Sequence, residues 1–307
     1  MRIYAIIIFT LLASLSLHAQ VRPSRTWNSD VLRTPAPRGV MSTLLGGAEI
    51  QRSNGSYGGE QAWQFRTHVQ AEVYRFTDSA DAVQLTTTIE AHQELTANPF
   101  NDIAFNPRAM RWEEFVWFHV GLDDVSLRAG FVHRCKHDID NINGPDERNP
   151  TSPSLAEQRT IILTGPAIGA SLAPFMLGIG TLSASGGMEY FVNASDTRRT
   201  RDASAETIGS WSTMQGACWA RARYVVPLTS DIALSAQGYA AMPWFTAYGG
   251  DNASLPLDAR GELALMLRGT AGTISIAGVV ERMFDEIVLV RPHATSYVGF
   301  VVSFMPL

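Results

Sequence analysis

Residues 62–76 read AWQFRTHVQAEVYRF, and the alternation in this stretch decides the fold. Trp63, Phe65, Val69, Ala71 and Val73 share one parity, while Gln64, Arg66, His68, Gln70 and Glu72 share the other. Side chains two apart on a strand lie on the same face, so the segment is a long strand with one apolar and one charged face. The next segment repeats the scheme, with Val83, Leu85, Ile89 and Ala91 opposite Gln84, Thr86, Thr88, Glu90 and His92. The few residues from Thr77 to Ala82 join the two, which makes them antiparallel neighbours.

Outward from this pair, alternation predicts ten more strands, over 41–51, 112–122, 125–135, 158–171, 176–193, 211–226, 231–242, 259–268, 271–282 and 293–304. Long links over 52–61, 96–111, 136–157, 194–210, 243–258 and 283–292 alternate with short ones centred on Ser79, Asp123, Ala173, Thr229 and Thr270. An even strand count with short turns at one end and long loops at the other is the plan of a membrane barrel. The polar parity carries charge at Arg66, Glu72, Glu90, Arg221, Arg223, Arg260, Glu262 and Arg268, as a wet or salt-bridged lumen requires. Trp63, Phe76, Trp112, Tyr224, Trp244 and Phe304 fall near strand ends, where interfacial girdles belong. Strands of roughly 10–15 residues also exceed the usual ~5–6 of a soluble β-sandwich. The expectation is an all-β chain: a twelve-stranded antiparallel transmembrane β-barrel with short periplasmic turns and long extracellular loops.

The ends agree with that assignment. Residues 1–19 read as a secretory signal, with Arg2, an apolar run from Ala5 to Leu17, and Ala19 before Gln20. Residues 20–40, with Pro23, Pro35 and Pro37, read as a periplasmic N-terminal tail, and residues 41–307 as the barrel. After the signal no run reaches the ~18 apolar residues of a spanning helix, so a membrane form of this chain must close as a barrel. Loss of Arg2 moves the formal net charge from −5 to −6, and an acidic chain argues against nucleic acid as a partner. Cys135 and Cys218 are either free or joined as one disulfide; two cysteines make no framework.

Val298, Phe300, Val302 and Phe304 alternate at the C-terminus and are followed by Met305, Pro306 and Leu307. The pattern resembles the last strand of bacterial outer-membrane barrels. That resemblance implies a place in the bacterial outer membrane, recognition by the barrel assembly machinery, and contact with outer-membrane lipids and lipopolysaccharide.

One constellation has chemical potential. Val125, Leu127, Ala129 and Phe131 form the apolar set of their strand, and His133 and Cys135 continue its parity. A His and a Cys are therefore expected on the lipid-facing surface near the extracellular end. His133, Cys135 and His137 alternate as ligands of zinc or copper can, with Asp138 and Asp140 as further donors. The segment from Asp138 to Gly144 is rich in oxygen donors, which makes calcium a candidate cofactor; its Gly falls one place later than in an EF-hand loop. The alternative is inert: His133 among interfacial side chains, Cys135 as a small filler, and a solvated loop beyond.

The stretch His133-Arg134-Cys135, with Glu147 fourteen residues after the His, resembles the lipid-facing His-x-Ser pair of outer-membrane phospholipase A and the lipid A 3-O-deacylases. Cys stands here where those families have Ser. The resemblance implies Cys135 as nucleophile, His133 as base and Glu147 as the group orienting the imidazole. A thiolate beside an imidazolium attacks esters, so the exchange keeps the chemistry. Two functions therefore stand side by side: a structural or narrow-pore barrel, and a lipid-acting acyl hydrolase.

Overall fold

The computed structural model describes residues 39–55, 63–77, 83–98, 106–122, 124–138, 158–199, 205–207, 211–246, 257–283 and 295–306. The strands are β1 (Gly39–Gly55), β2 (Trp63–Thr77), β3 (Val83–Asn98), β4 (Asn106–Leu122), β5 (Val125–Asp138), β6 (Gln158–Leu177), β7 (Gly180–Tyr190), β8 (Asn193–Arg199), β9 (Ala205–Thr207), β10 (Met214–Pro227), β11 (Ile232–Phe245), β12 (Asp258–Gly269), β13 (Gly272–Met283) and β14 (Thr295–Pro306). Neighbours in the wall pair antiparallel, and β14 returns to β1 in a register from Ala48↔Phe304 to Gly55↔Tyr297. Both β7 and β8 pair with β6, so together they make one broken wall strand. The result is a closed barrel of twelve antiparallel strands, with β9 paired to β8 beyond the wall. Closure satisfies every strand edge, which an open sheet in lipid would not. Among the described residues no helix is long and apolar enough to cross a membrane.

The two faces follow the alternation. Phe65, Val69, Leu85, Ile89, Phe131, Ile276, Val298 and Phe300 point outward and are exposed, Phe300 to 73%. An apolar surface of this extent around a whole barrel belongs in hydrocarbon. Gln64, Arg66, His68, Gln70, Glu72, Glu90 and His92 point inward and are buried. Strand β4 departs from the scheme: Phe115 and Trp117 face the lumen while Val116, Phe118 and Val120 face out. They join Val132, Ile161, Leu163, Phe191 and Met214 in an apolar cluster within the barrel.

Several boundaries and one face differ from the sequence reading: β1 runs past 41–51 at both ends and takes up the last two residues of the expected tail, and β4 begins six residues before 112. The short link expected at Ala173 is instead part of β6, where the register slips between Leu172 and Phe175. Pro174 has no N–H for the ladder and sits in that irregularity, while the turn is made by Gly178 at φ 60°. Val73 is the extra residue of a bulge, since Glu72 pairs with Thr88 and Tyr74 with Thr87. The bulge resets the parity, so Tyr74 continues the outward row beyond Val73. The strand expected over 176–193 breaks at Phe191 and Val192, and its continuation takes up the first part of the expected link 194–210.

Candidate functional site

The outer site is built on β5 between β4 and β6. His133 and Cys135 lie on the outward parity as expected, half-buried, in the half of the barrel nearer the long links. His133 pairs in register with Thr164 on β6, and His133 Nδ1 and Thr164 Oγ1 are joined by a 2.8 Å hydrogen bond. Four residues on, His137 Nδ1 meets Thr160 Oγ1 at 3.3 Å, and the Trp112 ring packs edgewise on His137 at 5.5 Å. Cys135 lies between these rungs, opposite Ile162 on one side and Trp112 on the other. Among the described residues no hydrogen bond joins Cys135 to His133.

Glu147 lies outside the described residues, as do Asp140 and the rest of the proposed calcium segment past Asp138. The carboxylate the fold does bring to the pair is Glu114, directly across from His133 on β4 and exposed on the same face. Neither Glu114 nor Thr164 was singled out in the sequence, because cross-strand register decides their proximity. Among the described residues no group of three or more His, Cys, Asp or Glu side chains is arranged to hold a metal ion. Cys135 and Cys218 are both free thiols, on β5 and β10 with β6 and β7 between them, so the disulfide alternative is not realised.

The lumen holds a second set of functional groups. Arg66 pairs with Glu49 and Gln64, donates through Nε to Glu94 at 2.9 Å and reaches Gln51 at 3.0 Å. Arg260 binds the same Gln51 oxygen at 2.8 Å, together with Glu262 and with Glu281 at 3.2 Å. Gln51 thus joins β2 to β12 across the curvature of the wall. A separate network is centred on Arg134, which grips both oxygens of Glu189 at 2.5 and 3.0 Å and meets Glu113 at 2.9 Å; Glu113 also pairs with Arg111. Bidentate charge-assisted bonds of this kind offset the desolvation of buried ions. Both networks sit toward the long-link ends of their strands, and their side chains, Glu262 excepted, are buried. Nearer the short turns, Arg221 and Arg223 are half-exposed and bond neutral groups, Gln237 at 2.6 Å and Ser235 at 3.1 Å.

No family model matches this chain, and no curated protein matches it in sequence. Solved structures similar to it include the transport unit of the autotransporter AIDA-I from Escherichia coli, at 9% identity and TM-score 0.46, with 97% of each chain covered. The translocator domain of autotransporter NalP from Neisseria meningitidis is similar at 12% identity and TM-score 0.40, covering 98% of this chain and 95% of its own. The Pseudomonas putida toluene transporter TodX is similar at 9% identity and TM-score 0.42, covering 94% and 95%. Likeness at this level transfers no function and no residue role to the chain.

Proposed function

We propose that this chain is an integral barrel of the bacterial outer membrane that provides a narrow passage for small polar solutes. The observation carrying the reading is the contrast along the lumen. Paired charges bury Arg66, Arg134 and Arg260 in the long-link half, whereas Arg128, Arg221, Arg223 and Gln237 are only half-buried toward the short turns. A lumen wet in one half and closed by side-chain networks in the other suits conduction of small solutes. It does not suit a wide porin channel, in line with the small interior of a barrel with few strands. In this reading the short turns are periplasmic, the long links extracellular, and residues 1–19 and 20–40 a signal and a periplasmic tail. The outward row Val298, Phe300, Val302 and Phe304 serves the assembly machinery and then the lipid, including lipopolysaccharide.

The purified protein is expected to give small discrete conductance steps in a planar lipid bilayer. Larger steps are expected from the Arg134→Ala/Glu189→Ala double variant, which removes a closing network while keeping charge balanced. Absence of steps from both proteins overturns the passage and leaves a structural barrel.

A second reading, acyl hydrolysis of membrane lipid, is supported by the outward placement of Cys135 and His133 beside Thr164 and Glu114. Cys135 would attack the ester carbonyl as the thiolate, and His133 would carry the proton from the thiol to the departing alcohol. Water would then hydrolyse the thioester, with Glu114 or Glu147 holding the imidazole. Wild type is expected to release fatty acid from phospholipid or lipopolysaccharide, with or without calcium, and Cys135→Ala to release none. Equal release by the two proteins, or none by wild type, removes this reading.

A further inference from the structure

We propose that Arg128, held between Trp117 and Trp219 in the lumen, is the binding site for a small planar organic carboxylate. The inference rests on the wet-lumen reading above, because the ligand must arrive through lumen water.

The arginines of the two closing networks, Arg66, Arg111, Arg134 and Arg260, are bound to carboxylates. Arg128 differs. Its guanidinium carbon lies 4.4 Å from the Trp117 ring centroid and 5.2 Å from that of Trp219. Among the described residues it has no hydrogen bond and no carboxylate at ion-pair distance; Glu90 and Glu189 reach it through their field alone. It is half-buried, three residues from the short turn that precedes β5. The two rings hold the guanidinium by cation–π contact, and its N–H edge carries no hydrogen bond among the described residues. That edge is a rigid fork that matches the two oxygens of a carboxylate.

The wall is shaped for this stack. Inward-facing Gly169 and Gly187 pair across β6 and β7, Gly169 also faces Arg128 itself on β5, and Gly130 lies two residues along β5 from Arg128. A Cβ on Gly130 would stand 2.7 Å from the Trp117 ring, one on Gly169 2.8 Å from Arg128 Nε, and one on Gly187 2.8 Å from the Trp219 ring. Three adjacent strands thus give up their side chains to seat the Trp-Arg-Trp stack.

A second observation points to an occupant. Flat side chains continue from the stack along the wall: Phe115 lies 5.5 Å from Trp117, His92 5.8 Å from Phe115, and His68 6.0 Å from His92. Trp117 Nε1, His92 Nδ1 and Nε2, His68 Nδ1, both amide atoms of Gln70 and Glu90 Oε1 are buried without a hydrogen-bond partner among the described residues. His92 Nε2 approaches Glu90 at 3.7 Å, too long for a hydrogen bond. Trp117 and Gln70 are each only 2% exposed. Buried polar atoms are normally satisfied, so the unsatisfied Nε1 of Trp117, in the ring that the unpaired Arg128 lies over, points to a polar guest. Flat apolar faces next to the Trp117 N–H and the Arg128 edge favour a planar acid over a compact one.

The test uses the full chain folded in detergent, with benzoate as the probe followed by equilibrium dialysis. Wild type is expected to bind benzoate saturably, and benzyl alcohol and acetate each about tenfold or more weakly, since each lacks one half of the recognition. Arg128→Gln is expected to lose benzoate binding by a similar factor, and Arg128→Lys, which keeps the charge without the fork, to weaken it as well. Benzyl alcohol or acetate binding as tightly as benzoate overturns the proposal without recourse to a variant. So does undiminished binding by either Arg128 variant, or no saturable binding by wild type. Benzoate binding in a protein that gives no conductance steps keeps the site and removes the passage; steps without benzoate binding do the reverse.

Discussion

Glu189→Ala is expected to destabilise the barrel by about 3–5 kcal/mol. Arg134 and Glu189 are each about 1% exposed, and the pair is bidentate. Removing the carboxylate leaves a guanidinium in the closed half of the lumen facing Glu113, which Arg111 already engages. The cost is that of stranding a buried charge, so it exceeds the net worth of the pair. For the same reason Arg134→Met combined with Glu189→Met is expected to recover most of the loss, because apolar side chains of similar volume need no partner. Phe115 and Phe191, each within 6 Å of the Arg134 guanidinium, would line the replacement. Urea titration of the refolded protein, read by the mobility shift of folded barrel on gels, measures both variants. A loss below about 1 kcal/mol for Glu189→Ala would show Arg134 to be solvated, and the lumen open where we describe it as closed.

The second large effect is steric. Gly165 on β6 lies where β7 ends and the wall strand breaks, and a Cβ there would enter the Tyr190 carbonyl, 2.8 Å from its carbon and 3.0 Å from Phe191 Cα. Each of these neighbours is backbone, so no rotamer change relieves the clash. Gly165→Ala is expected to cost at least the 1–3 kcal/mol typical of overpacking, and to move the break between β7 and β8. Gly238→Ala is the matched control. Nothing lies within 4 Å of the position its Cβ would take, so it is expected to be neutral or slightly stabilising in the same titration. Equal stability of the two variants would mean that β7 runs unbroken past Tyr190.

Strand number, faces and the alternation of short and long connections were legible because they rest on a period-two pattern within each segment. Where that pattern is locally overwritten, reading the sequence erred. The link expected at Ala173 is part of a slipped register that holds Pro174, with Gly178 making the turn five residues after Ala173. Val73 looked like one more outward residue and is the extra member of a bulge. On β4 the apolar residues fall on both parities, so nothing local marks Phe115 and Trp117 as lumen residues. The outer pair was legible as a placement. The parity of β5 put His133 and Cys135 on the outside, and the fold agrees. Their neighbours were not legible, since Thr164 and Glu114 arrive from other strands.

The sequence by itself therefore determined the class of wall and which side chains face in or out, because both are properties of a single extended segment. The tertiary structure decided who meets whom. Arg134 finds Glu189 across 55 residues, and Arg260 finds Gln51 across 209. Trp117 and Trp219 close on Arg128 from β4 and β10. Such meetings depend on register, tilt and closure, which couple all twelve strands at once. No single segment carries that information.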